Sequence, residues 1–233
     1  MCGRYTLSQE KEKIRSRFAH DSSFEFSPRY NVSPGQFMPV LAGNYPAGFS
    51  NFIWGLIPNY SPDAKSVQHY FNIKSEQLLT RSPFKHHLRS QRCLVPADGY
   101  FDWKKEGKQN IPYRFTLMDD GLFAMAGIWD SWENPKDGSS ISSFSILTKP
   151  ASGTCREISD RMPVILKREA EKSWMNLALH ENDVFELISK DRNEEITYYK
   201  CHKIVNSADK DVPQCVEAAP RLYPGETYNL FDV

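Results

Sequence analysis

Cys2, directly behind the initiator methionine, is the residue of this chain best placed for covalent chemistry. Initiator Met is normally trimmed when a small residue follows it, so Cys2 is expected to become the mature N-terminus. A terminal cysteine carries an amine and a thiol on adjacent carbons, with ordinary pKa values of about 7.7–8.0 and about 8.5. Both are therefore partly available as nucleophiles near neutral pH. Such a 1,2-aminothiol can attack an amide or ester through sulfur, with its own amine as base. It can also condense with an aldehyde: the amine forms an imine, the thiol closes on it, and a five-membered thiazolidine results. The bland alternative is an incidental residue on a frayed terminus.

Around this residue the composition is ordinary. The 233 residues are 40% hydrophobic and 25% charged, which describes a globular chain able to bury a sizeable core. Lys plus Arg equals Asp plus Glu at 29 each, so no global field draws the chain to a polyanion, and any such site must be a local patch. One patch stands out. Between residues 81 and 108 seven basic residues (Arg81, Lys85, Arg89, Arg92, Lys104, Lys105, Lys108) face three acids, with His86 and His87 in the same stretch. Trp54, Tyr60, Tyr70 and Phe84 are candidate stacking surfaces for splayed bases, of which one or two are expected to serve and the rest to be core. No apolar run reaches membrane-spanning length, and the charged start is not a signal peptide, so a cytoplasmic location is expected. The five scattered cysteines form no CxxC pair, which argues against a zinc site and for free thiols in a reducing compartment. No metal or other cofactor is expected. No heptad pattern suggests coiled-coil assembly, and a monomer is expected.

The elements that must position Cys2 are mostly short strands. Residues 5–18 alternate at helical spacing, with Ser8 as a plausible cap. Strand candidates follow at 30–35, 38–41, 52–55, 92–103, 111–118, 122–129 and 142–148, bounded by Gly, Pro or Asp. Helices are expected over 167–178 and 181–190, and a late strand over 196–205. With no repeat and no linker, the pattern predicts one α+β domain over residues 1–233. Its core is expected to be a curled, barrel-like antiparallel or mixed sheet with a few peripheral helices.

Several segments combine into something more specific. Met1-Cys2-Gly3-Arg4-Tyr5 precedes Arg29-Tyr30-Asn31-Val32-Ser33-Pro34-Gly35-Gln36, Trp54-Gly55-Leu56-Ile57-Pro58 and Phe71-Asn72. Arg92-Cys93-Leu94-Val95-Pro96-Ala97-Asp98-Gly99-Tyr100-Phe101-Asp102-Trp103-Lys104 and Asp160-Arg161-Met162-Pro163-Val164-Ile165-Leu166 come later. This ordered set resembles the SOS-response-associated peptidase family, whose members shield abasic sites in single-stranded DNA. The resemblance runs from residue 2 to about 206 and leaves 207–233 as a C-terminal extension.

The resemblance implies that Cys2 condenses with the ring-opened sugar aldehyde of an abasic site and forms a thiazolidine DNA–protein cross-link. The partner is then single-stranded DNA containing abasic sites, which implies association with the nucleoid. Gly3, without a side chain, lets the backbone lie against DNA. Arg4 reads as a phosphate contact through its guanidinium fork. Asn31, the basic residues Arg81 and Lys85, and the aromatics Trp54 and Phe84 are also expected on the DNA surface. Asn72 matches an asparagine that contacts the abasic sugar, Lys74 stands near a family arginine, and Arg161 matches an arginine at the DNA groove. Two positions depart from the pattern: Asp102 replaces a glutamate, and Ser159 replaces a histidine. Asp102 keeps the carboxylate on a shorter arm, whereas serine cannot titrate near pH 7.

Two other classes remain open at this point. Cys2 could be the nucleophile of an (auto)peptidase or amide hydrolase. Glutamine amidotransferases also begin Met-Cys-Gly, but their Arg-Gly-Pro-Asp segment is absent here. Alternatively, the Asp102 and Ser159 changes describe a degenerate member that binds single-stranded DNA without chemistry.

Overall fold

Short runs of β-branched and aromatic residues become strands, and the strands form two sheets that share one core. The structure is a computed structural model that describes residues 2–18, 25–43, 48–65, 69–78, 83–189 and 195–220. Arg81 lies outside the described residues.

The first sheet closes on itself. Strand β3 (Phe37–Ala42) pairs antiparallel with β4 (Phe49–Trp54) and β6 (Arg92–Ala97), and β6 pairs antiparallel with β9 (Phe123–Glu133). Strand β10 (Ser140–Pro150) lies antiparallel to β9 and parallel to β4, which completes a five-stranded mixed barrel. Two short strands, β5 (Asn72–Lys74) and β11 (Arg161–Pro163), add to the last third of β10. The second sheet is antiparallel, in the order β12 (Ile196–Lys200), β8 (Gln109–Leu117), β7 (Gly99–Glu106), β1 (Arg4–Leu7), β2 (Arg29–Val32). Helices α1 (Lys11–Phe18), α2 (Ser75–Leu78), α3 (Lys85–Ser90), α4 (Arg168–Met175) and α5 (Glu181–Ser189) lie outside the sheets. This is the α+β, barrel-like architecture expected from the strand pattern.

Several expectations need correction, and the late strand expected over 196–205 ends at Lys200. The helix anticipated over 5–18 begins only at Lys11, because Tyr5-Thr6-Leu7 is a strand between β2 and β7. Ser8 caps nothing; its hydroxyl donates to Asp98 Oδ2 at 2.8 Å. The strand anticipated over 92–103 is two strands in different sheets, separated at Asp98. That carboxylate is buried and gathers the N-terminal segment: Thr6 Oγ1 donates to Oδ1, Ser8 N and Gln9 N donate to Oδ2 at 2.5 and 3.0 Å, and Arg114 Nη2 donates to Oδ1 at 3.1 Å. Gly99 must be glycine here, since a Cβ would meet Arg114 Nε at 2.7 Å and Thr6 Oγ1 at 2.9 Å. The Asp98-Gly99 pair thus ties β1, and Cys2 at its head, to the junction of the two sheets.

Residues 201–216 lie across β2 and β7 as two 3-10 turns, Lys203–Asn206 and Pro213–Val216, packed around Phe101, Cys201, Val205 and Cys215. Asn31 holds this strap. It is fully buried and its Nδ2 donates to the carbonyls of Ser207 at 2.9 Å and Lys210 at 2.7 Å, with a longer contact to Val205 at 3.3 Å. The expectation that Asn31 meets DNA therefore fails: its carboxamide is spent inside the protein. Asn31→Ala should lower the unfolding free energy by about 2–3 kcal/mol, because several buried carbonyls lose their donor at once. Chemical denaturation of the purified variant measures this, and a loss below about 0.5 kcal/mol would contradict the role.

Candidate active site

Cys2 lies just ahead of β1, which pairs with β7, next to the first residue of β5, and its side chain is fully buried. Burial, and next the charge of Asp102, push its thiol well above the ordinary value. The Sγ–H points to the Arg4 carbonyl at 3.7 Å. The Cys2 carbonyl accepts from Asn72 Nδ2 at 2.5 Å, so the first residue of β5 fixes the backbone of the candidate nucleophile. Asn72 Oδ1 is buried and has no partner among the described residues, which leaves one acceptor at the site open to an amine or a hydroxyl.

Asp102, on β7, is buried and accepts from its neighbour Trp103 N at 2.9 Å and from Ser159 Oγ at 2.7 Å. Ser159 lies just before β11, and its Oγ also accepts from Arg161 N at 3.3 Å. The fold therefore assembles Cys2, Asn72, Asp102 and Ser159 from four separate segments. Arg161 follows on β11, and its guanidinium is held by Thr148 of β10 and by Glu76 of α2. Lys74 is exposed at the end of β5, and Gly3 is partly exposed beside Cys2.

Several expected DNA contacts are placed elsewhere. Arg4 is committed internally: its Nη1 donates to Asn31 Oδ1 and to the Val205 carbonyl, both at 2.9 Å. Trp54 is fully buried, donates Nε1–H to the Phe71 carbonyl at 2.8 Å and packs edge-on against Tyr5 at 5.0 Å, so it supports β1 and offers no face to a base. Phe84 is buried behind Tyr70, with ring centroids 5.0 Å apart. Among the four aromatic candidates, only Tyr60 and Tyr70 are exposed. Within the basic stretch, Lys85 is partly exposed while Arg92 is buried and donates to the carbonyls of Leu88, Trp174 and Asn176 at 2.5–2.6 Å. Desolvation pushes the Arg92 pKa down to about 10. His87 is also buried, and its Nε2 lies 2.9 Å from Asp130 Oδ2.

Three further residues brace the site. Trp103 donates Nε1–H to Asn206 Oδ1 at 2.7 Å and stacks near Arg4. Thr148 and Glu76 together hold Arg161. Trp103 was legible as the aromatic after Asp102. Nothing local in the sequence marks Thr148 or Glu76 as partners of a residue far along the chain.

The fold and this constellation define a protein with a buried cysteine at its second position beside a carboxylate–serine pair. The family model for SOS response associated peptidase (SRAP) matches residues 1–208, and the chain belongs to that family. It is similar to the abasic site processing protein YoqW of Bacillus subtilis (strain 168), at 33% identity over 94% of this chain and 100% of that one. The abasic site processing protein HMCES of Xenopus tropicalis is 27% identical over 94% of this chain and 78% of its own length. A crystal structure of a protein from Bacteroides thetaiotaomicron superposes with a TM-score of 0.85 at 25% identity, covering 94% of this chain and 100% of that one. Among the described residues no helix is long and apolar enough to cross a membrane.

Proposed function

We propose that this protein processes abasic sites in single-stranded DNA by cross-linking to them through Cys2 once Met1 is removed. The observation that carries the reading is the grip on Cys2: its carbonyl is held by Asn72 while its side chain is enclosed next to Asp102. In the proposed reaction the Cys2 amine attacks the sugar aldehyde carbon and water leaves, giving an imine. Sγ then adds to the same carbon and the thiol proton ends on the imine nitrogen, so aldehyde plus aminothiol gives thiazolidine plus water. Held together, the three groups react as one molecule, and proximity supplies much of the acceleration. The open Asn72 Oδ1 can accept a hydrogen bond from the reacting amine or a sugar hydroxyl, and Asp102 can take and return protons.

The raised thiol favours this reading over amide hydrolysis. A peptidase needs a thiolate to attack a weakly electrophilic carbonyl, and burial keeps Cys2 protonated. A protonated imine is a far stronger electrophile and accepts a neutral thiol as the proton moves. Removal of its own Met1 remains the minimal peptidase activity consistent with the family. Lys74, Lys85 and Arg161, with the backbone at Gly3, make up the proposed strand contact, and the protein is proposed to act as a monomer in one domain.

Incubation of purified protein with abasic single-stranded DNA, intact DNA and glutamine tests all three classes. A heat-stable adduct on abasic DNA alone is the expected result. Glutamine hydrolysis would replace this reading with the amidase, and salt-sensitive binding without any adduct would replace it with the degenerate DNA binder.

A further inference from the structure

The guanidinium of Arg161 is already occupied. Thr148 holds its inner side: Nη2 donates to the Thr148 carbonyl at 2.7 Å and to Oγ1 at 3.2 Å, and Nε donates to the same Oγ1 at 3.3 Å. On the outer side, Nη1 and Nη2 donate to Glu76 Oε1 and Oε2 at 2.8 and 2.9 Å. This parallel two-bond grip is the geometry in which arginine holds a phosphate as readily as a carboxylate. The Arg161 side chain is only 14% exposed, and that of Glu76 is 46% exposed. Glu76 is therefore the outer, displaceable partner over an arginine that the fold has fixed from behind. It stands on the short helix α2, directly after Asn72 and Lys74 of the candidate site.

We propose that Glu76 is a built-in occupant of a phosphate seat: its carboxylate fills the Arg161 fork until a phosphate of single-stranded DNA displaces it. The inference rests on the DNA-binding reading above and adds the regulation of that site. The hydrogen bonds from Arg161 hold the Glu76 carboxyl below its ordinary range, so the seat is closed at neutral pH. Because one partner faces water, the pair contributes little to stability and exchange is cheap. A phosphate recovers the same two charge-assisted bonds and releases counterions from the strand. While closed, the pair also cancels the seat's positive charge, so intact strands bind weakly and the covalent step at Cys2 selects the lesion.

Fluorescence anisotropy with an intact single-stranded oligonucleotide at several salt concentrations tests this. The proteins are the native chain, Glu76→Gln, Arg161→Ala, the double variant, and Glu133→Gln as a remote charge control. Glu76→Gln should tighten binding roughly 3- to 10-fold at low salt, by removing both the competitor and a repelling charge. Glu133→Gln should change it by less than about 2-fold. Arg161→Ala should weaken binding and reduce the salt slope by about 0.7, the loss of one phosphate contact. In the Arg161→Ala background the Glu76→Gln gain should vanish. Unchanged or weaker binding by Glu76→Gln, or an equal gain without Arg161, overturns the seat while leaving cross-linking by the native protein intact. A native chain that neither binds nor cross-links DNA would instead remove the functional reading, and the seat with it.

Discussion

Cys2→Ala is expected to abolish the abasic-site adduct while leaving non-covalent binding to the same oligonucleotide nearly unchanged. The trapped product should fall by at least about 10²-fold, because no other described cysteine combines a terminal amine with its thiol. Loss of one buried sulfur costs only about 1 kcal/mol, so the variant remains folded. Cys2→Ser keeps the amine and should still form an imine that borohydride traps, without ring closure. A residue retained ahead of Cys2 acylates that amine and should block both products. Because burial holds the thiol above its ordinary range, the pH profile of adduct formation should show the amine alone. The rate should therefore rise with pH through a single ionisation, that of the amine, with no second step from the thiol. The borohydride-trapped imine of Cys2→Ser should share that ionisation. An extended protein that cross-links as fast as the native chain would sink the aminothiol mechanism.

What the sequence reveals of this site, and what it hides, follows from the range of each interaction. The break at Asp98-Gly99 is legible because an acid and a glycine interrupt an apolar run. Its consequence, the gathering of Thr6, Ser8, Gln9 and Arg114 onto one carboxylate, depends on contacts that no local pattern carries. Strand periodicity gives nearly every barrel strand to within a few residues. It fails at Tyr5-Thr6-Leu7, where three residues fit either period and pairing with both β2 and β7 decides for a strand. Residue types with two common fates are the ones misread. Asn31, Arg4 and Trp54 each have the chemistry of a DNA contact, yet the fold spends their polar atoms on the carbonyls and carboxamide of its own chain. Hydrogen-bond capacity says what a side chain can hold, and only burial says whether it faces outward. Cys2, the proposed covalent centre, is legible for the opposite reason. A terminal aminothiol is a local, chemically rare group, and its meaning survives whatever surrounds it.

Ser159→His is expected to raise reversal of the cross-link, or strand cleavage, far more than it raises adduct formation. Forming the ring needs an amine, a thiol and an aldehyde held close, and the bond from Asn72 to the Cys2 carbonyl fixes the residue that carries the first two. Opening the ring, or removing a proton for β-elimination, needs an acid–base group at a defined atom. Ser159 is already positioned by its 2.7 Å bond to Asp102 Oδ2, but a serine hydroxyl does not titrate near pH 7 and cannot serve there as the acid or base. A histidine there would keep the carboxylate as its partner, which orients the imidazole and favours its charged form. A correctly placed acid–base group contributes about 10²–10⁴ in rate, so the native chain should form the adduct readily, reverse it slowly and nick DNA weakly. Asp102→Glu restores one methylene of reach and should move the same two rates if distance is limiting. Time courses of adduct, released DNA and nicked product separate these steps. Brisk cleavage by the native chain, with nothing gained from Ser159→His, would mean that another group already moves the proton. Asp102, the ionisable partner of Ser159 beside the Cys2 thiol, would then be the residue to replace next.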